Sequence, residues 1–302
     1  MRLHPLAETT RRHLAVGGLD PDAVAAVVRM AILEDLDGGR DVTSEATVPA
    51  DQSSRGEFTS RQPGVLAGLW VAAAVFDTVC GDAVRFEALA ADGDRVTGQR
   101  EAVAVVEAPT RLLLTAERSA LNLLCQMSGV ASLTRKWADA LDGTGARVRD
   151  TRKTVPGLRF LQKYAVRCGG GVNHRMALSD AALVKDNHVL AAGGVAEAFE
   201  LVRALDGSVP IEIEVDTLDG LRVALAAGAD LVLLDNFDVA EMREAVAVRD
   251  SMRPAAKLEA SGGLTLDVAR QVGETGVDFI AVGELTHSAR VLDLGLDLTG
   301  VL

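Results

Sequence analysis

The residues between positions 147 and 175 form the most basic stretch of the chain, and Asp150 is their only acid. The whole chain, by contrast, carries a formal net charge of -12. Arginine binds carboxylates and phosphates through paired donors, and lysine adds a point charge. A solvated helix face needs neither the glycine triplet at 169–171 nor the Asn-His-Arg cluster at 173–175. The stretch therefore predicts a binding site for a multiply anionic small molecule, and exposed ion pairs are the alternative.

Further polar residues lie at the C-terminal ends of the strands predicted in the second half of the chain. In strand order they are Asp150, Thr151, Arg152 and Lys153; Lys185, Asp186 and Asn187; Glu212, Glu214 and Asp216; Asp235 and Asn236; Glu259, Ser261, Gly262 and Gly263; and Gly283 and Glu284, with His287 just beyond. Ligands bind at this rim of a parallel α/β barrel. The same placement on every strand predicts that these residues surround one site.

Glu212 and Glu214 are two residues apart, so they face the same side of their strand, towards the barrel interior or its mouth. Buried carboxylates need a partner, and Arg152, Lys153, Lys185 or a metal ion are the candidates. A structural ion-pair layer inside the barrel is the alternative interpretation.

Ser261, Gly262, Gly263 and Gly283 follow the last two predicted strands. Glycine allows backbone N–H groups to approach a phosphate closely, and barrels often bind phosphate after their late strands. These residues predict a phosphate site, with an ordinary turn as the alternative.

The histidines add to the cationic side of this site. His174 adjoins Arg175, which favours contact with an anion or an aromatic ligand, whereas His287 carries a weaker signal. The chain has no HxH, HExxH or Cys/His set for a tight transition-metal site, and no Ser-His-Asp order or nucleophile elbow.

The predicted site thus has two poles. The cationic pole comprises Arg152, Lys153, His174, Arg175 and Lys185. The acidic pole is the pair Glu214 and Asp235, which suits Mg²⁺ bound to phosphate oxygens. This combination favours one diphosphate-bearing substrate and a second, carboxylated substrate.

Two kinds of element must position these residues. From position 55 to about 114, short β-type runs (GEFTS, GVLAG, VRFEAL, EAVAVVEA, RLLLT) surround one helix near 71–79, which predicts a small α+β domain with an antiparallel sheet. A helix starting at Asp20-Pro21 precedes this domain, and a long helix from Thr115 to 141 follows it. Six strands then alternate with Ala-rich helices, which predicts parallel βαβ units and favours a barrel over an open sheet.

These patterns predict a small N-terminal α+β domain over residues 1–126 and an α/β barrel over 127–288, which the family resemblance described below identifies as a sandwich domain and a catalytic domain. The final segment, 289–302, is predicted to return to the first domain as an edge strand or a helix.

Composition limits the class of protein. With 302 residues, 48% of them hydrophobic, the chain is long enough for a sizeable core, and its pI near 4.9 argues against a general nucleic-acid surface. The three cysteines are far apart and odd in number, which favours reduced thiols in a cytoplasm. The N-terminus has no apolar signal core, and the longest apolar run is too short to span a bilayer. We therefore expect a cytoplasmic protein that does not bind membranes.

The same residues carry a family resemblance. The motifs DTRKT, GGGxNHR, LxKDNH, EVD, LLDNF, ASGG and AVGxLTHS, in this order, resemble those of quinolinate phosphoribosyltransferase, as do EDL…GRDVTSEAT and TAERSALNLL nearer the N-terminus. The likeness implies an open-faced α/β sandwich followed by an incomplete, seven-stranded α/β barrel. It also implies the family reaction. Quinolinate and phosphoribosyl pyrophosphate react with Mg²⁺ present to give nicotinate mononucleotide, pyrophosphate and CO₂, in the synthesis of NAD.

The resemblance implies a role for each site residue. The quinolinate carboxylates would be held by Arg152, His174, Arg175 and Lys185, and the pyrophosphate would be faced by Lys153 and Lys185. The ribose hydroxyls would be bound, directly or through Mg²⁺, by Glu214 and Asp235. The ribose phosphate would be surrounded by Ser261, Gly262, Gly263 and Gly283, and the substrate site would be completed by Thr151 and His287. Lys153, Lys185, Glu214 and Asp235 would be the catalytic residues. Arg118 would reach quinolinate from the neighbouring subunit of a homodimer, although residue physics alone predicts a solvated helix position.

Three alternatives remain. One is a related phosphoribosyltransferase that acts on nicotinate or another aromatic acid, although the many cationic groups favour a dicarboxylate. Another is the paralogue of this family that is associated with molybdate-transport operons. The third is a catalytically inert barrel that binds phosphate ligands as a sensor, against which Lys153, Glu214 and Asp235 argue.

Overall fold

The computed structural model describes residues 2–302. The first half of the chain contains α1 (Glu8–Val16), α2 (Pro21–Leu36), α3 (Val42–Thr47), β1 (Ser53–Ser60), β2 (Pro63–Val65), α4 (Leu69–Cys80), a short 3-10 helix (Gly81–Ala83), β3 (Arg85–Ala88), β4 (Arg95–Thr97), β5 (Ala102–Pro109) and α5 (Thr110–Ala140). The second half contains β6 (Arg147–Arg149), α6 (Arg159–Cys168), β7 (Ala182–Val184), α7 (Asp186–Ala192), α8 (Val195–Leu205), β8 (Ile211–Val215), α9 (Leu218–Ala226), β9 (Leu231–Asp235), α10 (Val239–Met252), β10 (Lys257–Ser261), α11 (Ala269–Gly273), β11 (Phe279–Ala281), α12 (Glu284–His287) and β12 (Leu294–Val301).

The chain divides into two compact units. The first comprises the chain up to Leu133, together with Val155–Gly170 and Ser288–Leu302; the second comprises Thr134–Thr154 and Gly171–His287. The predicted division at 126 and 127 remains a prediction. None of the helices within residues 2–302 is both long and apolar enough to cross a membrane.

The first unit is built on a four-stranded sheet with the order β12-β1-β5-β3 and antiparallel pairing. The helix α4 is buried along almost its whole length, as expected for a helix that is apolar on all sides. Its Phe76 ring meets the β1 ring of Phe58 edge to face, with centroids 5.9 Å apart. The predicted α+β class with an antiparallel sheet is therefore confirmed.

Two local predictions can be compared directly with these elements. As predicted, α2 starts after Asp20, whose side chain accepts a hydrogen bond from the backbone N–H of Asp22, with Pro21 as the first helical residue. The predicted strand RLLLT is wrong, because these residues form the first turns of α5, which begins at Thr110. A short apolar run fits a strand or a buried helix equally well, so periodicity did not distinguish them.

The second unit contains a parallel sheet with the order β6-β11-β10-β9-β8-β7. All six predicted strands of the second half are present, and neighbouring strands pair in register, for example Glu214 with Leu233 and Ser261 with Asp235. The segment after the glycine triplet adds one isolated parallel bridge, from Val172 to Arg149 on β6. The mixed α/β class is confirmed, and the seven-strand count stays a prediction.

Candidate active site

A cavity of about 300 Å³ lies in the second unit. Seven of the predicted site residues line it: Thr151, Arg152, Lys153, His174, Arg175, Lys185 and Ser261. Leu183, Leu233 and Ala281 add apolar surface from three different strands. Since the strands are parallel, the polar residues that follow them meet at one edge, as the sequence predicted.

The basic stretch that predicted this site is only partly at the cavity. Arg152, Lys153 and Arg175 line it, whereas α6, in the middle of the stretch, belongs to the first unit. Lys163 on that helix is fully buried. The basic residues of α6 therefore belong to a different unit from the cavity, and charge along the chain does not reveal which residues share a unit.

Two arginines dominate the charge of the cavity. Burial, and after it the neighbouring Arg152 cation, lowers the pKa of the Arg175 guanidinium from its usual value. The Nε atoms of Arg152 and Arg175 are both buried and, within residues 2–302, have no hydrogen-bond partner. The two guanidinium groups are close together, and each has a buried Nε–H donor that is not used within residues 2–302. This arrangement favours an anionic ligand that accepts hydrogen bonds from those two donors.

Asp150 positions the cluster at 173–175. Its buried carboxylate, at the end of β6, accepts the His174 backbone N–H at 2.8 Å and the Asn173 side-chain amide at 2.6 Å. Together with the Val172 bridge, these bonds fix the segment beside β6. The sequence analysis placed Asp150 at a strand end but did not predict this role, since its two partners lie more than twenty residues later.

His174 makes hydrogen bonds through both ring nitrogens inside the protein. Its Nδ1 accepts the Arg175 backbone N–H at 2.7 Å, so the proton of the neutral ring lies on Nε2. Nε2 is 2.8 Å from the Glu212 carboxylate and donates to it. The predicted contact of His174 with a ligand carboxylate stays a prediction.

The sequence left open whether Glu212 and Glu214 serve a ligand site or a structural ion-pair layer. Glu212 is buried and pairs with His174, whereas Glu214 is less buried and pairs with Lys185 of the cavity. The ion-pair interpretation therefore holds for Glu212, and a ligand role for Glu214 stays a prediction.

Glu212 and Glu259 form a buried carboxylate layer beside His174. From the sequence, Glu259 was named among the strand-end residues but was given no role. It is fully buried on β10, pairs with Arg149, and has its Oε1 3.7 Å from His174 Nε2. Burial, and then the nearby Glu212, raises the pKa of Glu259 to about 8, against the opposing effect of Arg149. Glu259 also lines the cavity. The signal that would have indicated its burial is an acid between two apolar residues, Leu258 and Ala260, in the middle of a predicted strand.

The acidic pole of the predicted site comes from neighbouring strands. Glu214 lies on β8 and Asp235 ends β9, where it accepts the Asn236 side-chain amide at 2.8 Å. In the register of these strands Glu214 pairs with Leu233, two residues before Asp235, so both acids lie on one face. Two carboxylates with oxygen donors fit Mg²⁺ held jointly with substrate phosphates.

Two of the predicted phosphate positions leave little room for a Cβ, and Gly262 leaves none. Gly262 has a φ of +95°, and a Cβ there would lie 2.2 Å from Asn236 Oδ1. A Cβ on Gly283 would lie 3.2 Å from Lys153 Cδ and 3.1 Å from His287 Nε2. These glycines therefore allow Asn236, Lys153 and His287 to approach the strand ends closely.

Arg118 is exposed on α5, in the first unit, and is not among the residues that line the cavity. Its predicted contact with a ligand of a neighbouring subunit stays a prediction.

Comparison with known proteins matches both halves of the chain. The N-terminal domain of quinolinate phosphoribosyl transferase matches residues 41–128, and its C-terminal domain matches residues 130–297. A nicotinate-nucleotide pyrophosphorylase [carboxylating] of Mycobacterium leprae is 52% identical over 278 residues, which cover 92% of this chain and 98% of the relative. A probable enzyme of the same name from Bacillus subtilis is 40% identical, covering 88% and 90% of the two chains.

Solved structures give the same result. The nicotinate-nucleotide pyrophosphorylase from Francisella tularensis superposes with a TM-score of 0.87 at 36% identity, covering 92% of this chain and 96% of that one. The matches span both units and include every motif on which the site was predicted. This chain belongs to the quinolinate phosphoribosyltransferase family.

Proposed function

We propose that this chain transfers the phosphoribosyl group of phosphoribosyl pyrophosphate to quinolinate. The products are nicotinate mononucleotide, pyrophosphate and CO₂, as in the synthesis of NAD. The observation that carries the proposal is the pair Arg152 and Arg175 at a cavity that also holds two lysines. The buried Nε donors of both arginines lack a partner among residues 2–302. The names of the relatives support the same reaction.

Quinolinate has the shape and charge for this cavity. Its two carboxylates match two guanidinium groups, and its flat ring matches the apolar surface of Leu183, Leu233 and Ala281. By holding both carboxylates, the arginines would align the ring nitrogen for attack on the sugar, which is mainly an effect of orientation.

Loss of pyrophosphate builds positive charge on the ribose ring and negative charge on the leaving group. Lys153 and Lys185 line the cavity and would stabilise the leaving diphosphate. Lys185 is held by Glu214, so its ammonium has a defined position before the substrate binds. Ser261, Gly262, Gly263 and Gly283 would bind the ribose phosphate through close backbone approach.

Glu214 and Asp235 would hold the ribose hydroxyls, either directly or through Mg²⁺. When bound, Mg²⁺ would supply charge neutralisation at the diphosphate oxygens. The support for this assignment is the all-oxygen donor set on neighbouring strands.

We also propose a homodimer in which Arg118 completes the quinolinate site of the partner subunit, and a cytoplasmic location. The exposure of Arg118 leaves it available for such a contact. The three cysteines are unpaired in the structure, in keeping with a reducing compartment.

The test is an assay of the purified chain with both substrates and Mg²⁺. We expect pyrophosphate, CO₂ and nicotinate mononucleotide to form in equal amounts, as measured by coupled assay and mass spectrometry. Nicotinate in place of quinolinate serves as the control, since it lacks the second carboxylate that Arg152 and Arg175 together would bind. Equal pyrophosphate release with nicotinate, or none with quinolinate, would contradict the proposal.

A further inference from the structure

The proposed reaction requires a proton that the residues assigned so far do not supply. When CO₂ leaves quinolinate, an electron pair remains on the ring carbon beside the nitrogen, and that carbon must gain a hydrogen. Lys153 and Lys185 are assigned to the diphosphate, and Lys185 is already paired with Glu214. The donor must be an acid that reaches the cavity and still carries its proton at neutral pH.

Glu259 has the position for this task. It lines the cavity from the middle of β10, together with His174 and the arginines that would hold the carboxylates. Its Oε2 pairs with Arg149, whereas its buried Oε1 has no hydrogen-bond partner within the described residues. One oxygen is therefore anchored, and the other is available to carry and release a proton.

The charges around Glu259 favour the neutral acid. Arg149 on β6 is the cation that pairs with it, whereas Glu212 on β8 and Asp150 after β6 both oppose its ionisation. The His174 ring adds no charge, because its Nδ1 accepts a hydrogen bond and its Nε2 donates to Glu212. Burial and these neighbours raise the pKa of Glu259 to about 8.

A bound metal ion is the other use of such a group. The ligand atoms of His174, Glu212 and Glu259 lie within 4.8 Å of one another. However, metal binding at Nε2 needs a lone pair there, and the Nδ1 acceptor places the proton on Nε2. Arg149 would also place a cation beside the metal. The geometry therefore favours a proton over a metal ion.

We propose that Glu259 is the acid that protonates the ring carbon from which CO₂ departs, an inference that rests on the proposed function. As the bond from the ring carbon to its carboxylate breaks and CO₂ leaves, the electron pair moves onto that carbon, where the positively charged ring nitrogen stabilises it. The O–H bond of Glu259 breaks in the same step, and its proton takes up this electron pair to form the new C–H bond, so loss of the acid slows the release of CO₂. Glu259 is left as a carboxylate, whose charge Arg149 balances.

A second cavity, of about 800 Å³, is lined by Arg149, His174 and Glu212 and by the loops before β8 and β9. Glu259 lines the substrate cavity and is not among the residues that line this second one. After the products leave, the Glu259 carboxylate would therefore regain its proton from solvent that enters the substrate cavity.

The experiment separates the two products of a single turnover. Wild-type enzyme and the variant Glu259→Gln are each mixed with quinolinate, phosphoribosyl pyrophosphate and Mg²⁺, and pyrophosphate and CO₂ are measured over time. Glutamine keeps the shape and can accept from Arg149, but it cannot donate an acidic proton. We expect pyrophosphate to be released by the variant, while its CO₂ release slows by about 10²–10⁴-fold, the usual contribution of a general acid.

A matched control is Glu107→Gln, at an acid that also pairs with an arginine but does not line the cavity. Glu107 Oε1, on β5 in the first unit, accepts a hydrogen bond from Arg55 Nη1 at 3.1 Å, and glutamine keeps that acceptor. We expect this variant to release both products at the wild-type ratio, which a nonspecific effect of removing a carboxylate would not allow.

The outcomes are distinct. No pyrophosphate from the wild type would contradict the proposed function itself, whereas CO₂ release by Glu259→Gln at the wild-type rate would contradict only the role of Glu259. If the variant does not fold, the pH profile of the wild type decides. The CO₂ to pyrophosphate ratio in the first turnover should fall as the pH rises above about 8. A ratio that stays constant at every alkaline pH at which the enzyme remains folded would overturn the proposal.

Discussion

At the scale of single residues, the site differs between His174, whose hydrogen bonds are completed within residues 2–302, and two arginines, whose Nε–H donors are not. Asp150 and Glu212 satisfy the backbone and ring of His174, so this histidine has a fixed orientation. Arg152 and Arg175 instead each keep a buried Nε donor that has no partner in the part of the chain that the structure describes. Because unpaired buried donors cost stability, their presence is best explained by a ligand that completes them.

Replacing Arg152 with alanine should remove quinolinate binding. The expected loss is about 2–5 kcal/mol, because a ligand carboxylate would then be buried without its partner. Isothermal calorimetry measures the affinity, and thermal unfolding should show that the fold is intact.

Arg243→Ala is the matched control for that variant, since Arg243 is exposed on α10, away from the cavity lining. It should bind quinolinate like the wild type. Retained affinity in Arg152→Ala would mean that another group holds the carboxylates.

At the scale of elements, parallel pairing brings the chemistry together. Strands β8, β9 and β10 are neighbours, so Glu214, Asp235 and Ser261 meet although they are far apart in sequence. The turn after β10 then depends on Gly262, because any Cβ there would collide with Asn236 of the adjacent strand end.

The variant Gly262→Ala should be destabilised and should bind phosphoribosyl pyrophosphate weakly. A left-handed backbone costs a residue with a Cβ about 1–2 kcal/mol, and the collision with Asn236 adds to this. Gly143→Ala is the control, because Gly143 has a φ of +79° with no atom within 4 Å of the added Cβ.

Urea unfolding and ligand titration of both variants measure the difference. Gly143→Ala should show only the backbone cost and normal affinity. Equal stability losses and equal affinities in the two variants would argue against close packing at the turn after β10.

At the scale of the whole molecule, an acidic chain holds a cationic cavity. The net charge of -12 contrasts with the arginines and lysines that line the site. Negative charge elsewhere keeps anionic substrates from binding at other surfaces, whereas the cavity concentrates positive potential in one place. The local sign of the charge therefore says more about the ligand than the net charge does.

Mixing two inactive variants tests the proposed sharing of sites in a homodimer. Arg118→Ala removes the contributed arginine and Lys185→Ala disables the cavity, so a mixed dimer keeps one intact site. Random reassortment should restore roughly a quarter of the wild-type activity, because half of the dimers are mixed and each has one working site.

Activity assays before and after subunit exchange give the answer, and each variant mixed with itself is the control. A mixed dimer that is verified by mass spectrometry but remains inactive would mean that Arg118 does not serve a partner's site.

Much of the fold could be predicted because its signals are local. Alternating apolar runs and Ala-rich helices predicted the parallel strands, and Asp20-Pro21 predicted the start of α2. The prediction failed at RLLLT, where a short apolar run became helix. The sequence also did not reveal that α6 lies in the first unit and that its basic residues are not among the cavity lining. In both cases the deciding information lay in contacts with distant parts of the chain.

The sequence by itself determined which chemistry was available: arginines, lysines and acids at the ends of parallel strands, in motifs of one enzyme family. Only the tertiary structure decided how these groups pair. Glu259 pairs with Arg149, 110 residues away in sequence, and Glu212 pairs with His174. The buried Nε donors of Arg152 and Arg175 have no partner among the described residues. The physical reason is that residue type and strand period are local properties. Ion pairing, burial and proton occupancy instead depend on strand order and register, which bring distant residues into contact.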